Sequence, residues 1–121
     1  MRLGIVFGYL AAAGGYLALG SANATWAAFA SVVFAHAGGS TIWVFSTTLL
    51  QGLTEDRYRG RVFSAELGLM MMTISATSYL AGVCVDMGVP PKTFASWTGA
   101  SMLIPAAAWT WALGRWKDQP R

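Results

Sequence analysis

The distribution of charged residues limits the possible folds of this chain more than any other feature of its sequence. No Asp, Glu, Lys or Arg occurs from residue 3 to residue 54, and the segments 67–85 and 93–114 are also uncharged. A helix needs about 20 apolar residues to cross ~30 Å of hydrocarbon, so the first run is long enough for two crossings and each of the others for one. The sequence therefore predicts an all-α membrane protein with four transmembrane helices in up-down hairpin order.

The predicted spans form a single membrane domain over residues 1–121. They cover about residues 3–20, 26–51, 62–85 and 94–114, and residues 54–61 form a charged hinge after the second span. Small residues recur along two spans at spacings that let a neighbouring helix backbone approach closely. The first span carries Gly4, Gly8 and Ala12, and the third carries Ser64, Gly68, Ser75 and Gly82. Both faces are predicted to pack against other helices.

The basic residues predict the orientation of the chain in the membrane. One predicted side collects Arg2, Arg57, Arg59, Arg61, Arg115, Lys117 and Arg121, and the other side holds only Lys92. Because cytoplasmic loops carry the excess of Lys and Arg, both termini are predicted to be cytoplasmic in a multi-pass protein of the plasma (inner) membrane. In an alternative interpretation the first segment is a cleaved signal peptide, since residues 22–24 have the small-x-small form of a cleavage site.

The same composition excludes several functional classes. The net charge of +3 comes from residues near the span ends, which is typical of topology signals and not of a nucleic-acid-binding face. The lone Cys84 cannot form an internal disulfide, and the lone His36 has no neighbouring metal-ligand types. Catalytic and phosphate-binding motifs of soluble enzymes are missing from the sequence. We therefore expect no enzymatic activity, no cofactor, no metal and no nucleic-acid partner.

The hinge carries a resemblance to a known family. Residues 50–64 read LQGLTEDRYRGRVFS and resemble the LQ-x-L-x-x-x-x-RGRVFS pattern between transmembrane helices ten and eleven of major facilitator superfamily exporters, with the siderophore and multidrug branch most similar. Residues 81–86, AGVCVD, are similar to the glycine-rich end of helix eleven in that branch. Thr54 departs from the pattern, because the family often has proline there. The resemblance extends over about residues 26–116.

The resemblance implies that the four spans correspond to helices nine to twelve of a twelve-helix transporter. The implied activity is export of small molecules by alternating access with proton coupling. Such a transporter builds its substrate path between two six-helix halves. The chain is accordingly expected to be a C-terminal fragment whose partners are the lipid bilayer, the missing N-terminal half or equivalent helices, and a small-molecule substrate.

Helical phase selects the candidate residues of a substrate path. They lie on one face of the second span, His36, Ser40, Trp43 and Thr47, and on one face of the third, Met70, Thr73 and Thr77. The implied helix ten borders the central cavity of such transporters. In the alternative interpretation these polar side chains only form hydrogen bonds with neighbouring helices.

Charged residues near the start of the third span form a second group of candidates. Glu66 is the only acid inside a predicted span, and a charge at the bilayer centre costs at least ~2.5 to 3.5 kcal/mol on insertion scales. It is a candidate for cation binding or proton coupling, with interaction with Arg59, Arg61 or headgroups as the alternative. The hinge residues Arg57, Arg59 and Arg61 are candidates for a cytoplasmic gate, or for ordinary membrane anchors.

Two other functional classes remain open from the sequence. A self-contained four-helix exporter that dimerises fits the chain length, although the first span lacks the essential acid of such exporters. A non-transporting membrane scaffold or assembly subunit would use the small-residue faces for helix contact. Substrate-dependent efflux from vesicles distinguishes transport from a scaffold role.

Overall fold

The computed structural model describes residues 1–117, which form four α-helices joined by short turns. The helices are α1 (Arg2–Ser21), α2 (Thr25–Leu53), α3 (Asp56–Asp86) and α4 (Pro91–Lys117). Each predicted span lies inside one helix, and the described part of the chain contains no strand. The predicted all-α fold with four helices is confirmed.

The first helix is the centre of the bundle, because α2 and α4 both pack against it. The contact with α2 is antiparallel: Gly4 lies beside Phe45, and Gly8 lies beside Ile42. A Cβ added at Gly38 would lie 2.5 Å from the backbone nitrogen of Ala12, so only glycine permits this approach. The predicted packing role of the small-residue face of α1 is confirmed.

The contact between α1 and α4 is also antiparallel and equally close. A Cβ at Gly99 would lie 2.9 Å from the carbonyl oxygen of Ala13 and 2.9 Å from the backbone nitrogen of Leu17. At the other end of the contact, the indole Nε1 of Trp109 donates to the carbonyl oxygen of Arg2 at 3.1 Å. Because α2 and α4 both run antiparallel to α1, they run parallel to each other on either side of it.

This arrangement separates the basic residues as the sequence predicted. The start of α1, the turn after α2 and the end of α4 lie at one end of the bundle, with Arg2 and Arg115 among their residues. Lys92 lies at the opposite end, where its Nζ donates to Oδ1 of Asn23 at 3.0 Å. Arg121, which belongs to the predicted basic group, lies outside the described residues. The cytoplasmic orientation of the basic end stays a prediction.

The charged hinge is shorter than the sequence predicted. Only residues 54 and 55 separate α2 from α3, and the rest of the predicted 54–61 segment forms the first turns of α3. The acid Asp56 in the first turn suits the positive end of the helix dipole, and its carboxylate lies 2.8 Å from the guanidinium of Arg59. At 31 residues, ~46 Å of helix, α3 is longer than the hydrocarbon layer, so its charged first turns can lie outside it.

The third helix makes few contacts with the remainder of the chain. It touches α4 weakly and has no buried residue. A Cβ at Gly68 or at Gly82 would have no atom of the described residues within 4 Å. Within residues 1–117, the predicted close crossing at this small-residue face of α3 is therefore not formed.

Length and composition support a membrane location. The helices α1, α2 and α3 are long and apolar enough to cross a bilayer, whereas α4 is not in this group and its crossing stays a prediction. Large apolar side chains, including Phe29, Leu69 and Ile104, are exposed on the outside of the helices. In water such a surface would be unfavourable, and in a bilayer it faces lipid.

Candidate functional site

The helices α1 and α2 line a cleft of ≈ 710 Å³, which we call the α1–α2 cleft. Three of the four predicted path residues of α2 line it: His36, Ser40 and Trp43. Opposite them, α1 contributes Tyr9 and Tyr16. The remaining lining is mostly apolar, so the cleft combines a few polar groups with a hydrophobic wall, as small-molecule sites do.

Several polar groups in the α1–α2 cleft have no hydrogen-bond partner among the residues that the structure describes. The hydroxyls of Tyr9, Tyr16 and Ser40 make no hydrogen bond with any of residues 1–117. The imidazole Nδ1 of His36 lies 2.9 Å from the carbonyl oxygen of Val32. When Nδ1 carries the proton and donates to this oxygen, Nε2 of the neutral ring is left to accept a hydrogen bond. Because unsatisfied polar groups are costly in a membrane, the cleft favours water or a polar ligand group.

The fourth predicted residue of this face lies elsewhere. Thr47 does not line the α1–α2 cleft, and its Oγ1 is enclosed without a hydrogen-bond partner among the described residues. Neighbouring hydroxyls of α2 behave differently, since those of Thr41 and Thr48 donate to carbonyl oxygens four residues earlier. The polar face of α2 therefore divides between the cleft and the turn that contains Thr47.

A second cleft, the α3–α4 cleft, has a volume of ≈ 810 Å³ and is lined by α3, α4 and the end of α1. Two predicted path residues of α3, Thr73 and Thr77, line it. Both hydroxyls donate to carbonyl oxygens of their own helix, those of Leu69 and Thr73, at 2.8 Å. They therefore present acceptor lone pairs to the cleft. Met70 is half-buried on the same helix and does not line this cleft.

The two clefts meet at side chains that the sequence analysis did not select. Tyr16 and Met102 line both of them. The tyrosines were missed because the first span was interpreted only by its small residues Gly4, Gly8 and Ala12. Its residues in the α1–α2 cleft, Tyr9, Ala12 and Tyr16, are three and four positions apart and therefore share one helical face, as the predicted path residues of α2 do. The same test of helical phase on α1 would have found them.

Glu66 lies in α3 between the charged first turns and the clefts. Its side chain is half-buried, and it forms no ion pair with any residue that the structure describes. Of the two arginines in the alternative interpretation, Arg59 is paired with Asp56, and Arg61 forms no ion pair with Glu66. Glu66 therefore stays available for a proton or for a cation from outside this chain.

The three hinge arginines are exposed but differ in their contacts. Arg57 forms an ion pair with Glu55 at 3.0 Å and lies over the ring of Tyr58, 4.4 Å from its centroid. Arg59 pairs with Asp56, whereas Arg61 has no ion pair within residues 1–117 and lines a surface cleft with Tyr58 and Ala65. Two of the three predicted gate charges are thus neutralised locally.

Together, the fold and the clefts define an all-α membrane protein. A multidrug resistance protein, MdtH of Edwardsiella ictaluri (strain 93-146), is 31% identical over 112 residues, which cover 90% of this chain. The matched part is 27% of the relative's length, so the chain spans about a quarter of that protein. No family model matches the chain, and no solved structure matches it.

This similarity agrees with the transporter resemblance at the coarse level. The relative is named as a multidrug resistance protein and not as an enzyme, which agrees with the prediction of no enzymatic activity. The assignment of the four helices to positions nine to twelve of a transporter goes further than this similarity.

Proposed function

We propose that this chain is a segment of a transmembrane transporter that exports small molecules by alternating access, with proton coupling. The α1–α2 cleft is the observation that carries the proposal. It collects His36, Ser40 and two tyrosine hydroxyls in an apolar cleft of a membrane protein, where a substrate with a hydrogen-bonding group would satisfy them. The similarity to a multidrug resistance protein supports the same function.

The proposal places the basic end of the bundle in the cytoplasm of the plasma (inner) membrane. Arg2, Arg115 and the hinge arginines would then lie at the cytoplasmic surface, and Lys92 at the outer surface. In this orientation Arg61, which is unpaired within the described residues, is the hinge arginine best able to pair with an acid of another transporter half in one conformation.

Proton coupling is proposed for Glu66. It lies on the helical face of α3 that also carries Thr73 and Thr77, both of which line the α3–α4 cleft. A carboxyl group without an ion-pair partner among the described residues can exchange a proton as the path opens to either side.

The small-residue face of α3 is an argument for a partner helix from outside residues 1–117. Gly68 and Gly82 leave room for another helix, as the other half of a two-half transporter would require. A second copy of this chain is the alternative occupant, and it would make a self-contained dimeric exporter. A scaffold role loses one of its two arguments, because the Gly4 and Gly8 face is used inside the chain.

A chimera tests the proposal. The matched segment of the Edwardsiella protein would be replaced by this chain, and ethidium efflux would be measured in cells and in proteoliposomes. We expect efflux by the chimera, little efflux by the isolated chain, and loss of efflux when Tyr9 and His36 are both replaced by Ala. A chimera that inserts and folds without any efflux would contradict transport. Robust efflux by the isolated chain would instead establish the dimeric alternative.

A further inference from the structure

The α1–α2 cleft and the α3–α4 cleft meet end to end along α1. The first contacts α1 at Tyr9, Ala12 and Tyr16, and the second contacts it at Tyr16 and Leu19. Each extends ~16 Å along a neighbouring helix at the rise of an α-helix: the first along residues 35–46 of α2 and the second along residues 91–102 of α4. Together they would form one groove much longer than either.

The side chains common to both clefts stand at this junction. Tyr16 projects from α1 and Met102 from α4, and both are half-buried. The tyrosine ring is bulky and rigid, whereas the methionine has three rotatable bonds and adapts to its surroundings. Of the two side chains, Tyr16 therefore obstructs passage from one cleft to the other more than Met102 does.

The backbones beside the junction leave little freedom for a different opening. Gly99 lies against Ala13 and Leu17, the residues on either side of the Tyr16 turn, at distances that exclude a Cβ. Separating α1 from α4 at this level would break that close contact. While α1 and α4 stay in this contact, passage between the clefts depends on the positions of the side chains at the junction.

The chemistry of the first cleft indicates the ligand. Its wall is mostly apolar, its polar groups are hydroxyls, the imidazole of His36 and the indole N–H of Trp43, and no charged residue lines it. A bilayer acyl chain would leave those groups unsatisfied, whereas a phenol donates and accepts one hydrogen bond and carries an apolar body. A lipophilic molecule with such a neutral polar head is the occupant that fits.

We propose that Tyr16, with Met102, is the partition between the two clefts and determines the length of lipophilic, neutral-headed ligand that the α1–α2 cleft accepts. The inference rests on the proposed function, because it makes this cleft the substrate site. It adds a specificity-determining residue on α1, a helix to which the sequence analysis gave only a packing role.

The test uses the purified chain in phosphatidylcholine nanodiscs. A para-octylphenol with a diazirine in its tail labels residues on illumination, and peptide mass spectrometry locates the labels. Unlabelled para-octylphenol and para-hexadecylphenol compete with it. In the wild-type chain we expect the short competitor to suppress labelling of residues 35–46 about tenfold more strongly than the long one, because the long tail meets Tyr16.

Variants at the junction give the decisive result. Tyr16→Ala should abolish the difference between the competitors, and Tyr16→Phe, which keeps the ring, should retain it. Tyr79→Ala removes an exposed tyrosine of α3 that lines neither cleft and should also retain it. If Tyr16→Ala loses helicity, Met102→Ala should reduce the difference in its place.

The outcomes separate the inference from the proposed function. Saturable labelling of the α1–α2 cleft with the same length preference in the wild type, Tyr16→Ala and Met102→Ala overturns the partition alone. Labelling of lipid-facing α3 residues that is as strong as that of the cleft, and that neither phenol suppresses, shows occupancy by bilayer lipid only. That result would contradict both the substrate site of the proposed function and the partition at Tyr16.

Discussion

The helices α1 and α3 share two sequence features but have very different surroundings. Both are apolar enough to span a membrane, and both carry small residues at helix-packing intervals. Yet 28% of an 18-residue apolar stretch of α1 is buried inside the bundle, against 0% of the corresponding stretch of α3. Gly38 of α2 lies against α1 so closely that a Cβ would collide with backbone, whereas Gly68 of α3 faces open space. Small-residue spacing therefore indicates that a helix can be approached closely, but not whether its partner belongs to the same chain.

The reason lies in the driving force for helix association in lipid. Lipid tails are as apolar as leucine, so helices gain little by hiding hydrophobic side chains from them. Close van der Waals contact and interhelical hydrogen bonds must supply the energy, and α1 obtains the former from two neighbours. The α3 surface lacks such contacts within residues 1–117, which makes it the surface where further helices would gain most.

The helices α1 and α3 are both expected to cross the bilayer. Accessibility labelling of single cysteines tests this, and each cysteine should be either fully reactive or fully protected from outside the cell. In a Cys84→Ser background, Asn23→Cys at the end of α1 should react with a membrane-impermeant maleimide added outside cells. Tyr58→Cys at the start of α3 should react only after the cells are opened. Labelling of Tyr58→Cys from outside, with Asn23→Cys protected, would show the reverse orientation.

The next largest effect distinguishes a covered glycine from an uncovered one. Gly38→Val should lower the free energy of unfolding by about 3 kcal/mol, because its side chain would collide with the backbone of Ala12 and Gly8 and force α1 and α2 apart. Gly68→Val should change it by less than about 0.5 kcal/mol. Both values come from reversible unfolding in mixed micelles.

Equal losses from these two substitutions would contradict the comparison. They would mean that the face of α3 is covered in the isolated chain, for example by a second copy. A measurement of Gly68→Val over a range of protein concentrations would then show a dependence on dilution.

The sequence predicted the helices and the packing face of α1 well, because charge-free runs and small-residue spacing are local features. Residues His36, Ser40 and Trp43 were placed on one face by helical phase, and the structure brings them into one cleft. The separation of Thr47 from that cleft depends on how α1 crosses α2, and phase within one helix carries no information about a crossing. The role of α1 in forming the cleft was missed for a different reason: Tyr9 and Tyr16 share one helical face, but only the small residues of this span were interpreted.

The structure also differs from the sequence prediction in the length of the hinge. Five charged residues within 54–61 were interpreted as a break between spans, but charge alone does not end a helix. Asp56 in the first turn and its pairing with Arg59 favour helix in that segment, so α3 begins two residues after Thr54.

Glu66 is the place where α3 is expected to differ from α1 in function as well as in packing. In the chimera with the Edwardsiella protein, Glu66→Gln should reduce proton-driven efflux several-fold at matched expression, because it replaces the carboxyl group by an amide of similar size that cannot carry the coupled proton. The control is Glu55→Gln, which removes an exposed acid of the hinge that is paired with Arg57. Efflux and its pH profile would be measured for both. An unchanged profile in Glu66→Gln would leave Glu66 as a structural acid at the membrane edge.

The smallest expected effect concerns the exposed start of α3, where ion pairs replace packing. The side chains of Arg59 and Asp56 are 49% and 87% exposed, so solvent screens their attraction and the pair should contribute less than about 0.5 kcal/mol. A double-mutant cycle with Arg59→Gln and Asp56→Asn, measured by unfolding at low and high salt, gives this coupling. Arg59→Gln should also leave efflux by the chimera nearly unchanged, whereas Arg61→Gln should alter it, since Arg61 alone among the hinge arginines lacks an ion pair within residues 1–117. A coupling well above 1 kcal/mol that persists in high salt would show that the start of α3 is held more firmly than its exposure implies. The contrast between a packed α1 and a weakly held α3 would then apply only to the membrane-embedded part of α3.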